Sequence, residues 1–130
     1  MDWRSTVNTK DDPSELFKMI ENIGSGSYGD VYKVLQVLFK AMDTVTGQIC
    51  AVKIICLEPG EDLSSILGEV NFLKQCKHEN IVSYVGCYLK RGKLKGENHI
   101  WVQYNLNARL QWNSAVEVLL NRAIRVFITN

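Results

Sequence analysis

Three glycines in the spacing G-x-G-x-x-G lie inside the run Gly24-Ser25-Gly26-Ser27-Tyr28-Gly29-Asp30-Val31, and Ala51-Val52-Lys53-Ile54 comes further on. The spacing alone fits a dinucleotide site, another kind of phosphate loop, or a chance cluster. The residues after the glycines separate these readings. A dinucleotide fold needs a helix at once, with an acidic residue about 20 positions on to hold a ribose. Here the glycines lead into Val31-Tyr32-Lys33, a β-branched and aromatic run that predicts a strand. Strand, glycine turn, strand is a hairpin whose small residues let backbone amides approach a phosphate closely. The expected pairing is Phe17 to Ile23 with Asp30 to Lys33. A further apolar strand, Ile49 to Leu57, carries Lys53 in its middle.

A glycine loop over the ATP phosphates with a strand lysine contacting them is the layout of a protein kinase. Such a site pairs the lysine with a glutamate on the next helix. Glu69 lies 16 positions after Lys53, in a stretch where Ser64 or Ser65 can cap a helix and Ile66, Val70, Leu73 and Lys77 recur at helical spacing. An unlike pair at about 4 Å and an effective dielectric of about 20 attracts by roughly 4 kcal/mol before desolvation. That orients a lysine but does not establish a function. Taken singly, Lys53 and Glu69 also fit ordinary surface charges; it is the ordered set that points to the site.

Longer segments add a family resemblance. Asp11-Asp12-Pro13-Ser14-Glu15-Leu16-Phe17, the stretch Ile20 to Lys33, Leu57-Glu58-Pro59-Gly60-Glu61-Asp62 and the stretch Cys76 to Tyr84 closely resemble the germinal-centre-kinase branch of the Sterile-20-like serine/threonine kinases. These are the mitogen-activated protein kinase kinase kinase kinases. The resemblance covers residues 11 to 94, with a weaker stretch at 100 to 111. It implies ATP, Mg²⁺ held by a second lobe, phosphorylation of serine or threonine, and a place near the top of stress-kinase cascades. The nucleotide-contacting set it implies is Ile23, Gly24, Ser25, Gly26, Ser27, Tyr28, Gly29, Asp30, Val31, Ala51, Lys53 and Glu69. In the weaker stretch it puts Val102 in the gatekeeper position and Gln103 and Tyr104 in the hinge, where adenine is recognised through backbone groups.

A whole kinase domain has two lobes, about twice the usual domain size, whereas these 130 residues make one modest domain. No stretch matches H-R-D-x-x-x-x-N or D-F-G, which supply the catalytic aspartate and the metal ligands. His78 and His99 are the only histidines, neither precedes Arg-Asp, and no aspartate occurs after Asp62. The sequence therefore predicts an ATP cradle with no catalytic residue and no metal ligand of its own. Two functions stay open: the ATP-binding lobe of a Sterile-20-like kinase, or a non-catalytic kinase-like module that binds a nucleotide, a partner kinase or a regulator.

Net charge is +1, which gives no general attraction to nucleic acid or an acidic membrane. The polar N-terminus has no signal-peptide core, and no apolar run approaches the roughly 20 residues of a membrane span. Cys50, Cys56, Cys76 and Cys87 lack zinc spacing and fit reduced, mostly buried thiols, so a cytoplasmic protein is expected.

The expected fold is α+β: a protein-kinase-like N-lobe with a five-stranded antiparallel sheet and one main helix, then a divergent C-terminal helix. Residues 1–14 are expected to be a flexible lead-in, 15–112 the lobe, and 113–130 an amphipathic tail. Thr46-Gly47-Gln48 should turn the chain into the lysine strand. Ile81 to Leu89 and Ile100 to Tyr104 are the fourth and fifth strands, with Lys90-Arg91-Gly92-Lys93 a solvated turn. Two insertions depart from the family pattern. Val34 to Lys40 adds seven residues, five of them apolar, before Ala41 resumes it, and Lys95 to His99 precedes the fifth strand. In the tail, Ser114 and Glu117 form a capping-box signature before a helix at about 115 to 127.

Overall fold

The computed structural model describes residues 7–28, 34–57, 83–93, 95–106 and 112. One short helix, α1 (Pro13–Leu16), precedes five strands: β1 (Phe17–Tyr28), β2 (Val34–Asp43), β3 (Ile49–Leu57), β4 (Ser83–Arg91) and β5 (Asn98–Asn105). They form one antiparallel sheet in the order β1-β2-β3-β5-β4. This is the five-stranded sheet of a kinase N-lobe. The helix expected around Glu69 and the helix expected near residues 115–127 lie outside the described residues.

β3 owes its place to Ile49-Cys50-Ala51-Val52-Lys53-Ile54-Ile55-Cys56-Leu57, an apolar run covered on both faces. Side chains alternate across a strand, and both sets are occupied. Phe17, Ala41, Cys50, Val52 and Trp101 form a core on one face. Leu38, Ala51, Ile55, Leu57, Cys87, Ile100, Val102 and Tyr104 form the core on the other, with Val7.

The β2–β3 turn matches expectation and is tied down by Asp43. Its Oδ1 accepts from the backbone amides of Val45 (2.9 Å) and Thr46 (3.3 Å), and Gly47 closes the turn at φ +74°. Gln103 Nε2 donates to Asp43 Oδ2 at 3.0 Å, which ties the same turn to β5. Burial works against the Asp43 charge, yet the bonds from Gln103, Val45 and Thr46 win and hold its carboxyl below the ordinary aspartate value.

At the N-terminal end of the described residues, Val7 is buried, and Asn8 bridges Tyr88 through bonds to the Cys87 carbonyl (2.8 Å) and from the Leu89 amide (3.0 Å). One local expectation is corrected. At the other hairpin, Gly24 to Tyr28 do not turn. They continue β1, paired with Leu38 back to Val34, so the residues read as an insertion supply the second strand. Four of its apolar residues, Leu35, Val37, Leu38 and Phe39, have ladder partners on both sides, which outweighs the turn preference of the glycines. Asp30 to Lys33, expected as that strand, lie outside the described residues.

Candidate nucleotide site

Lys53 sits in mid-sheet, and the register fixes its neighbours: Leu38 across the β2 ladder and Val102 across the β5 ladder. Residues directly opposite one another share a face. Leu38 and Val102 are fully buried and Lys53 is 1% exposed. A lysine is almost never buried to that degree unless it is paired. Around it, Ala51 and Tyr104 belong to the same apolar cluster, with Ile23 and Trp112 packed against it. Trp112 also lies under the Lys40 ammonium, 5.3 Å from its ring centroid. The face thus joins a flat apolar surface to a buried cation, which is what a purine bearing a phosphate chain requires.

The structure brings Ile23, Gly24, Ala51, Lys53, Val102 and Tyr104 together, with Gly24 opposite Leu38. Ser25, Gly26, Ser27 and Tyr28 run on along β1, away from Lys53, and the amides on their inner side are committed to the ladder with β2. Gly29, Asp30, Val31 and Glu69 lie outside the described residues. The apolar cluster beside Lys53 therefore suits a purine in its chemistry, whereas the glycine segment in this register offers a phosphate chain few amides.

Gln103 does not line the cleft. Its side chain points to the opposite face and to Asp43, while its backbone stands between Val52 and Gly86 in the ladders. Tyr104 is likewise paired on both sides, with Ala51 and Tyr84. At Asn105 the β3 ladder has ended and only the pairing with Ser83 continues, so the backbone on the β3 side leaves the sheet there.

Sequence reasoning missed Leu38 and Trp112. The signal for Leu38 was present: Leu38-Phe39-Lys40 repeats the pattern of Val31-Tyr32-Lys33. Trp112 carried no signal in the kinase-like motifs read from the sequence, which end at residue 111.

Comparison with known proteins agrees with this geometry. The protein kinase domain profile matches residues 17–124. The chain belongs to the protein kinase family. Mitogen-activated protein kinase kinase kinase kinase 3 of Rattus norvegicus is 50% identical over 82 residues, 63% of this kinase chain and 9% of the rat protein. Serine/threonine-protein kinase 1 of Arabidopsis thaliana is 39% identical over 95 residues, 72% of this chain and 10% of that protein. Serine/threonine-protein kinase dst2 of Dictyostelium discoideum is 42% identical over 85 residues, 65% and 7%. The first bears the name of the group that the sequence motifs resemble. The kinase chain spans a tenth or less of the length of these curated relatives.

Proposed function

We propose that this chain is the ATP-binding lobe of a serine/threonine kinase of the Sterile-20-like type, working in the cytoplasm upstream of mitogen-activated and stress-kinase cascades. The observation that carries the reading is Lys53, buried between Leu38 and Val102 on the face that Ala51, Ile23 and Tyr104 complete. ATP is the ligand, with its adenine against the apolar cluster and its phosphates toward the Lys53 ammonium. Mg²⁺ neutralises phosphate charge in this family. The sequence matches neither motif that holds it, so metal binding belongs to a second lobe.

The test is titration of a labelled ATP analogue against the wild type and Lys53→Met, with circular dichroism to show that both are folded. Charge-assisted hydrogen bonds contribute about 1.5–3 kcal/mol, so the variant should bind at least roughly tenfold more weakly. Equal binding by two folded proteins overturns the assignment.

A second reading, a non-catalytic module that holds a nucleotide or a partner kinase, is favoured by one observation. Trp112 packs against the cluster that adenine would occupy. The transcript distinguishes the two: His-Arg-Asp and Asp-Phe-Gly in frame after Asn130 support the kinase lobe, and a stop codon there supports the module.

A further inference from the structure

Trp112 lies on the face of the sheet that carries Lys53, and its contacts fix where. It packs against the buried cluster that includes Leu38, Ala51, Val102 and Tyr104. The Lys40 ammonium stands over its ring, 5.3 Å from the centroid. Lys40 is opposite Ala51, and Ala51 is opposite Tyr104. The indole therefore sits toward the Ala51 end of β3. Leu57, at the other end of the strand, is about 20 Å away at the usual rise of a strand, beyond the reach of Lys40. The surface that the proposed function gives to adenine is thus covered by a second flat ring system. Indole and purine are both fused five- and six-membered rings of nearly equal area.

The ring reaches this surface on a short tether. Leu106, just past β5, packs against the same cluster and lies six positions before Trp112. Six residues span at most about 20 Å, and a tether of that length holds its end at an effective concentration on the order of millimolar. A base arriving from solution competes with a ring that never diffuses away. Two rings cannot lie flat on one surface, so each nucleotide that binds there lifts the indole off.

The cost of that competition follows from populations. When only a fraction of molecules is open to a ligand, the apparent affinity falls by that fraction, so an indole seated about nine times in ten weakens nucleotide binding about tenfold. Lys40 deepens the competition, because a cation over an exposed ring favours the seated state by roughly two- to fivefold.

We infer that Trp112 is a built-in occupant of the purine surface, steadied by Lys40, and that a purine nucleotide binds only with the indole displaced, the identity of that ligand resting on the proposed function. The base is what competes. Adenosine should therefore displace the indole, and inorganic triphosphate should not.

Fluorine resonances of the full chain grown with fluorotryptophan read the displacement directly. Trp3, Trp101 and Trp112 each give one line, and the line missing from Trp112→Phe identifies the last. Titration with the ATP analogue should move the Trp112 line toward the position of an exposed tryptophan. The Trp101 line, from the opposite face of the sheet, should stay in place. Adenosine should repeat the shift at higher concentration. Trp112→Ala should bind the labelled analogue about tenfold more tightly than the wild type, and Lys40→Met roughly two- to fivefold more tightly. Added to Trp112→Ala, Lys40→Met should change nothing further, since its effect passes through the indole.

Circular dichroism shows whether the variants are folded; if Trp112→Ala is not, the wild-type titration decides alone. Equal or weaker binding by a folded Trp112→Ala overturns the competition and leaves the proposed function standing. A Trp112 line that does not move at saturation overturns it as well, and so does a shift produced by triphosphate alone. If neither the wild type nor Trp112→Ala binds the analogue, the proposed function fails and the competition falls with it.

Discussion

Asp12 joins the N-terminal segment to the sheet through a single oxygen. Its Oδ1 accepts from the Ser14 hydroxyl (2.7 Å), the Ser14 amide (3.0 Å) and the Lys90 ammonium (3.0 Å). The Ser14 hydroxyl first, and then Lys90, draw its pKa down to about 2. A carboxyl depressed in the folded state adds stability that is complete above its unfolded value and fades as pH falls through the folded one. Asp12→Asn keeps the helix cap, since Asn caps about as well as Asp, but removes the charge. The wild type should therefore unfold at a higher urea concentration than Asp12→Asn above about pH 4, and the gap should close toward pH 2. A gap that persists unchanged at pH 2 assigns the effect to something other than this charge. The cysteines behave in the opposite sense. Burial raises Cys87 to about 12, and burial with the nearby Asp43 charge raises Cys50 to about 11. Both are protonated and unreactive at neutral pH.

At the scale of single elements, the β2–β3 turn is the clearest case of sequence specifying geometry. Gly47 has φ +74° and no atom within 4 Å of where a Cβ would stand, so a side chain there meets backbone strain alone. A left-handed conformation costs other residues about 1–2 kcal/mol. Gly47→Ala should lose about that much in urea unfolding, and Gly47→Asn less, because Asn tolerates this region. Equal losses, or none, would mean that the turn relaxes. β3 was fully legible as Ile49 to Leu57, since a β-branched run next to a Gly turn has few alternatives. β1 and β2 were legible as strands but not in their bounds. The glycines signalled a turn, and the sequence offers two equivalent partners for the same stretch of β3. Local propensity cannot choose between Val31-Tyr32-Lys33 and Leu38-Phe39-Lys40; the sheet takes the copy that makes the longer ladder. The site was legible in Lys53 and Ala51, which lie on one strand. The side-chain direction of Gln103 was not, because it depends on Asp43, sixty residues away.

For the whole molecule, the kinase sheet is present, but the sequence supplies neither the aspartate that accepts a substrate proton nor the ligands of the metal. A positioned general base contributes typically about 10²- to 10⁴-fold. These 130 residues alone should therefore transfer no radiolabelled phosphate above background, to themselves or to a generic protein. Incorporation that disappears in Lys53→Met shows the opposite. The sheet's two borders also differ. β4 is closed at its middle by Asn8, whereas among the described residues no chain segment pairs with the outer edge of β1, where Ile20 is half exposed. An exposed edge is a template for another strand. Two copies of this lobe set β1 to β1 would continue one ladder into the other, a ten-stranded sheet rimmed on both sides by β4 and its Asn8 bridge.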